Sequence, residues 1–280
     1  MNIGFIGIGK IASAVIEGLC TSELKGTRYL LSPRNEENSK RLAVRFSSAI
    51  RMENNQAVVD GSGIVFLALR PTQAVEALKG LTFRKDQVVV SLIPLIGHAE
   101  MTALVAPAGQ VVRAIPLPPV IHHDCPIPVF HPIDGVVELL DHIGQTFAVS
   151  DEKQLHAIWT LTCLITPYYD LLNELGDWSV EKGVCRDLAN RYLAALFSSL
   201  SNAAVRNPVD FNQLAKHAAT PGGMNEQTGK EIQASGTHDA WVGAAERMLG
   251  RFPHSDSRKP DAALLTTKHS GAARRPPEPS

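Results

Sequence analysis

The sequence predicts an α/β fold: a doubly wound, mostly parallel sheet followed by an all-helical domain. Three observations indicate it. A strand–glycine turn–helix motif opens the chain, and short apolar runs then alternate with helical segments to about residue 150, which is typical of a parallel sheet covered on both faces. From Asp151 to about Phe252 helical periodicity dominates. We therefore expect domains at 1–150 and 151–252, and a flexible tail at 253–280 that is rich in Pro, Ser, Arg and Lys.

Composition narrows the class of protein. The chain has 280 residues, a net charge of −1 and a pI of about 6.8, so no basic field favours nucleic acid as a partner. No signal peptide or membrane-length apolar run stands out. The 4 cysteines are scattered without a C-x-x-C pair, which favours reduced thiols over a disulfide framework. We expect a soluble cytoplasmic protein.

The first element is a strand over residues 2–6, followed by the spacing G-x-G-x-x-A and a helix. In this pattern Gly7 makes the tight turn, Gly9 lets the backbone approach a pyrophosphate and Ala12 lets the helix pack on the strand. The first N–H groups of the helix face the phosphates. A tight turn without a ligand is the alternative. We predict a dinucleotide-binding (Rossmann) domain, with this turn contributing Gly7, Gly9, Lys10, Ile11 and Ala12.

The second strand, residues 28–31, ends where the coenzyme is selected. An acid here would hold the ribose of NAD, whereas the chain has Ser32, Arg34 and Asn35 before any acid. Arg34 can pair with a phosphate, and the two polar side chains can donate to it. The sequence favours NADPH, with NAD as the possible alternative. The other interpretation of Arg34 is a solvated turn residue.

Further elements follow in order. Residues 36–49 are predicted as a helix, and residues 64–69, 87–93 and 111–115 as buried strands. Because ligands lie at the carboxyl ends of parallel strands, the segment formed by the end of the strand at 64–69 and the residues after it is assigned to coenzyme binding. Its residues are Ala68, Leu69, Arg70 and Pro71.

Residues 115–133 combine a proline-rich, extended start with a group of potential metal ligands. These ligands are His122, His123, Asp124, Cys125 and His131. The histidines are adjacent and the prolines hinder convergence, so we predict polar loop residues near the coenzyme cleft and no metal.

The helical domain is predicted as five segments, at 151–176, 183–205, 208–218, 222–235 and 238–251. Pro167 should kink or divide the first of them. The second carries a wide apolar face, which indicates burial against another subunit or, alternatively, an intramolecular core. That face comprises Leu188, Tyr192, Leu193, Leu196, Phe197 and Leu200.

The motifs together resemble the pyrroline-5-carboxylate reductases over about residues 1–252. The nucleotide loop 4–12, the segment 32–35, the run Phe66–Pro71 and the run Val111–Pro116 are similar to family motifs, with Arg70 replacing a lysine. Thr220-Pro221-Gly222-Gly223 resembles the family's S-P-G-G element. The resemblance implies NAD(P)H-dependent reduction of a cyclic imine to proline, and a homodimer interlocked through the helical domains.

Site residues for the substrate come from the same resemblance and from the glycine turn. Pro221-Gly222-Gly223 before a helix exposes N–H groups that can hold a carboxylate. The alternative is a flexible helix start. We assign substrate binding to Gly222, Gly223, Met224 and Asn225, and reaction chemistry to Thr220, Asn225 and, as a weaker candidate, Thr166.

Three departures separate this chain from the family pattern. Leu117 and Pro118 replace a polar Asn-Thr pair, the bulky run Cys163–Pro167 replaces a small-residue loop, and Met224-Asn225 replaces a substrate-binding threonine. An amide is a poor acid, so we expect solvent to protonate the imine. The departures leave two alternatives open: an NADPH-dependent reductase of another small imine or carbonyl compound, and a catalytically silent NADPH-binding dimer.

Overall fold

The fold is taken from a computed structural model that describes residues 1–205 and 210–252. The described chain divides into two compact units, Met1–Leu155 and His156–Arg251. The first contains the sheet, and the second is helical. The predicted flexible tail at 253–280, and the first residues of the helix expected at 208–218, lie outside the described residues.

The first unit is built on one eight-stranded sheet with the order β3-β2-β1-β4-β5-β6-β7-β8. All pairs are parallel except β6 with β7. The strands are β1 (Asn2–Ile6), β2 (Arg28–Leu31), β3 (Ala49–Arg51), β4 (Ile64–Leu67), β5 (Val88–Ser91), β6 (Gln110–Ala114), β7 (Pro126–Phe130) and β8 (Gln145–Val149).

Helices cover both faces of this sheet, so alternate residues of each central strand enter different apolar cores. Phe5 and Phe66 stack at 4.8 Å between ring centroids in one core, and Ile6 and Leu67 enter the other. The doubly wound fold class is therefore confirmed. The helices are α1 (Lys10–Thr21), α2 (Glu36–Arg45), α3 (Asn55–Asp60), α4 (Pro71–Leu78), α5 (His98–Leu104) and α6 (Asp134–Asp141), with a 3-10 helix at Pro118–His122.

Five strands are confirmed, while the interpretation of two other segments was wrong. The helix expected over 36–49 ends at Arg45, and Ala49 starts the short strand β3. The segment 115–133, expected to be a loop, contains the 3-10 helix and β7. Pro128 lacks an N–H but accepts a hydrogen bond from Ile115 N at 3.1 Å, so proline is compatible with this strand.

The second unit follows the predicted helical pattern. Pro167 lies in the first turn of a new helix, where a missing N–H costs nothing, and a 3-10 turn at Thr162–Leu164 divides the expected segment 151–176. The division between the units falls within α7. The helices are α7 (Glu152–Leu161), α8 (Ile165–Glu181), α9 (Arg186–Val205), α10 (Phe211–Ala218), α11 (Met224–Ala234) and α12 (Thr237–Leu249).

Within residues 1–205 and 210–252, no helix is both long and apolar enough to cross a membrane.

Candidate functional site

The turn between β1 and α1 has the geometry that the glycine spacing predicts. Gly7 has a φ of +90°, and a Cβ there would lie 2.6 Å from the carbonyl oxygen of Ala68. Gly9 is the residue before α1, and a Cβ added to it would meet nothing within 4 Å. The first glycine is therefore required by packing, whereas the second leaves open space at the N-terminus of α1.

The segment after β4 lies beside this turn. Ala68 N donates to Ile6 O at 2.9 Å, which holds the two strand ends together. Arg70 precedes α4 and is exposed, and Pro71 occupies the first turn of that helix. The predicted residues of both segments thus share the carboxyl edge of the sheet.

Ser32 connects the end of β2 to the glycine turn. Its Oγ accepts a hydrogen bond from Gly7 N at 3.0 Å, and the residue is only 1% exposed. Arg34 is exposed, and Asn35 caps α2 by accepting from Asn38 N at 3.3 Å. The buried hydroxyl of Ser32 therefore stabilises the glycine turn. Arg34 is the exposed cation of this loop, so it is available to an incoming anion.

Arg51, at the end of β3, lies against the loop that follows β2, and the sequence pattern did not indicate this position. Its Nη2 donates to Pro33 O at 3.5 Å and its Nε to Ser39 Oγ at 3.2 Å. The strand has only 3 residues, so no apolar pattern marked it. A basic residue shortly after the predicted second helix was the available signal.

These features fit a dinucleotide phosphorylated on its adenosine ribose. The open backbone at Gly9 and the start of α1 suit a pyrophosphate. The loop after β2 offers Arg34 and no acid before Glu36, so a 2′-phosphate meets positive charge there.

In the second unit, the predicted substrate residues gather at the start of α11. A small open cavity there is lined by Ala218, Thr220, Gly223, Met224 and Asn225. Thr220 and Asn225 are both exposed, and Asn225 Nδ2 donates to Ala218 O at 3.1 Å, which leaves its Oδ1 as an acceptor. Thr166 is exposed on α8 and is not among the lining residues.

The expectation of several available N–H groups was wrong for the two glycines. Gly222 N donates to Glu226 Oε2 at 2.7 Å, and Gly223 N donates to Thr220 O at 2.8 Å. Glu226 also pairs with Lys230, which with the Gly222 bond holds the pKa of this carboxyl below its usual value. An internal carboxylate therefore occupies part of the site assigned to a substrate carboxylate.

A buried ion pair lies at the end of β6. Arg113 is fully buried and pairs with Glu152, whose Oε1 also accepts from His98 N at 2.6 Å. Burial lowers the pKa of Arg113, and the neighbouring Glu152 opposes that effect. The pair joins β6 to the start of α7.

The potential metal ligands of residues 122–131 point to different partners. His123 Nε2 contacts Gly18 O at 3.0 Å, Cys125 Sγ accepts from Leu117 N at 3.3 Å, and His131 stacks on His98 at 4.2 Å between ring centroids. Among the residues that the structure describes, no group of three His, Cys, Asp or Glu is placed to hold a metal ion.

Comparisons with known proteins agree with this arrangement. Residues 2–94 match the family model described as NADP oxidoreductase, coenzyme F420-dependent. A pyrroline-5-carboxylate reductase of Corynebacterium melassecola is 25% identical over 263 residues, which cover 89% of this chain and 97% of that protein. The chain is therefore similar to a pyrroline-5-carboxylate reductase along nearly its whole length.

Solved pyrroline-5-carboxylate reductases share its fold. The enzyme of Streptococcus pyogenes superimposes with a TM-score of 0.79 at 20% identity, covering 90% of this chain and 97% of that one. The Plasmodium falciparum pyrroline carboxylate reductase, solved with NADP bound, gives a TM-score of 0.78 at 15% identity, with 90% and 96% covered. The similarity of fold thus extends over both units and is not confined to the nucleotide-binding half.

Proposed function

We propose that this chain is an NADPH-dependent reductase that transfers hydride to the C=N bond of 1-pyrroline-5-carboxylate and forms L-proline. The observation that carries the proposal is the glycine turn at the carboxyl edge of the sheet, in a chain that matches named pyrroline-5-carboxylate reductases over nearly its full length. NADH is the alternative coenzyme.

The coenzyme supplies the hydride, and the protein binds and orients it. We assign the pyrophosphate to the turn at Gly9, Lys10 and Ile11 and the 2′-phosphate to the loop of Arg34 and Asn35. Ser32 and Ala12 support these segments from buried positions. The segment Ala68–Pro71 borders the same edge.

The substrate end is assigned to the start of α11. The N–H groups of Met224 and Asn225 lie in the first turn of this helix and can hold an anion. Asn225 Oδ1 can accept from the N–H of a protonated imine, and the Thr220 hydroxyl can donate or accept. Solvent delivers the imine proton, since neither Thr220, Asn225 nor Thr166 is an acid. Roles for Gly222 and Gly223 are limited to shaping the turn.

We further propose a homodimer formed by the helical unit. Within α8–α12 the buried residues that the structure describes are small, namely Gly176, Ala189 and Ala204. Large apolar side chains are instead exposed on α8 and α9, where a partner would bury them. They include Tyr169, Trp178, Leu188, Tyr192, Leu196 and Leu200.

A cytoplasmic location belongs to the same proposal. The cysteines Cys20, Cys125, Cys163 and Cys185 are unpaired thiols, which fits a reducing compartment.

Steady-state rates of NADPH oxidation with 1-pyrroline-5-carboxylate test the assignment. We expect turnover that depends on substrate concentration and yields proline. Absence of turnover above background, with the coenzyme still bound, would refute it and support the silent NADPH-binding dimer.

A second candidate is the reduction of a related cyclic imine that lacks the carboxylate. The contact of Glu226 with Gly222 N favours it, because a carboxylate already occupies that donor. A higher kcat/KM for 1-pyrroline than for 1-pyrroline-5-carboxylate would support this candidate over the first.

A further inference from the structure

Strand β3 brings a second arginine to the loop that follows β2. In the parallel β2–β3 pair, Arg51 lies opposite Leu31, the residue that precedes Ser32. Met52 N donates to Leu31 O at 2.9 Å, which fixes this register at the very end of both strands. Arg51 therefore stands at the same sheet edge as the segment Ser32–Asn35.

The side chain of Arg51 is held against this loop. Its guanidinium contacts the Pro33 carbonyl on one side and Ser39 of α2 on the other, and the side chain remains 34% exposed. Two hydrogen bonds thus orient the group while part of it faces solvent. Arg34, by contrast, is exposed on the loop itself.

The charge of Arg51 is poorly compensated. Glu36 Oε1 lies 3.9 Å from Arg51 Nη2 but 2.7 Å from Lys40 Nζ. The carboxylate of Glu36 therefore pairs mainly with Lys40. A long ion pair between exposed groups contributes little to stability, so Glu36 neutralises the charge of Arg51 only weakly. An anion bound over the loop would therefore meet a positively charged group that is already oriented.

We propose that Arg51, together with Arg34, binds the 2′-phosphate of NADPH and sets the preference for NADPH over NADH. This inference rests on the proposed coenzyme. A phosphate monoester carries up to two negative charges and three acceptor oxygens, which is more than one guanidinium satisfies. Arg51 supplies the second from a neighbouring strand.

Calorimetry on the full-length protein tests this without relying on turnover. NADPH, NADH, adenosine 2′,5′-bisphosphate and 5′-AMP are titrated into the wild type and into Arg51→Ala, Arg51→Lys and Arg28→Ala. Arg28 begins β2 at the opposite edge and is exposed, so it controls for loss of a cation from the same strand pair.

Because a charge-assisted contact is lost, Arg51→Ala should weaken the binding of NADPH and of adenosine 2′,5′-bisphosphate by about tenfold to a hundredfold. NADH and 5′-AMP should bind as in the wild type, since they lack the 2′-phosphate. Arg51→Lys keeps the charge without the planar fork and should fall between the two. Arg28→Ala should change nothing.

Two results would overturn the inference. An equal loss for NADPH and NADH in Arg51→Ala would show that the side chain only supports the fold, and unchanged NADPH affinity would show that it has no part in binding. If the wild type bound neither coenzyme, the proposed function would fail together with the inference, so that failure is distinguishable from the other two.

Discussion

At the scale of single residues, both the backbone conformation and the packing of Gly7 exclude a side chain. It adopts φ +90°, and a Cβ there would approach Ala68 O to 2.6 Å. We expect Gly7→Ala to lower the free energy of unfolding by about 2–3 kcal/mol, because strain and a backbone clash add. Chemical denaturation measures this. Gly26→Ala is the control, since Gly26 has φ +71° but open space around it; equal losses for both variants would contradict the packing argument.

Glu226 places a negative charge at the start of α11, where a substrate carboxylate is proposed to bind. Its carboxylate accepts from Gly222 N, so Glu226→Gln should reduce the negative charge that a substrate carboxylate meets. We expect the KM for 1-pyrroline-5-carboxylate to fall about twofold to fivefold, a change of the size that a charge at a helix end produces.

The KM for 1-pyrroline, which has no carboxylate, should stay unchanged in Glu226→Gln. Glu231→Gln, near the other end of α11, is the matched control. A fall in KM for both imines, or for neither, would show that Glu226 does not compete with the substrate carboxylate.

At the scale of elements, the ion pair between Arg113 and Glu152 links the end of β6 to the first residue of α7. Glu152→Gln would replace the carboxylate that pairs with a fully buried guanidinium by a neutral amide, and breaking a buried ion pair costs about 3–5 kcal/mol. Urea unfolding of this variant should show a loss of that order. The exposed Glu138→Gln on α6 should unfold like the wild type, and a similarly small effect of Glu152→Gln would contradict the role of the pair.

The elements that the sequence predicted are those with a local signal. The strands β1, β2 and β4–β6 are apolar runs, and the division before Pro167 follows from one missing N–H. The strands β3, β7 and β8 lacked such a signal, because the first is short, Pro126 and Pro128 interrupt the second, and the third is largely exposed.

The same distinction applies to the candidate site. Spacing alone indicated Gly7, Gly9 and the loop after β2. The position of Arg51 depends on a strand pairing, and that of Glu226 on a turn folding back on its helix, so local sequence patterns predict neither.

At the scale of the whole molecule, the proposed dimer would bury the apolar side chains that the helical unit exposes. Tyr192 lies on α9 with 63% of its surface exposed, and Tyr192→Glu would place a charge in the proposed interface. Sedimentation velocity should find the wild type as a dimer or larger and this variant shifted toward the monomer. Ser198→Glu, exposed on the same helix, is the control; a wild type that is monomeric throughout would contradict the proposal.

The most direct measurement of the central claim follows the hydride itself. The protein is mixed with 1-pyrroline-5-carboxylate and NADPH that carries deuterium at both C4 positions of the nicotinamide, and the product is analysed by mass spectrometry. The account predicts proline carrying one deuterium at C5, formed in step with NADP⁺. Bound coenzyme that yields neither labelled proline nor NADP⁺ would contradict it.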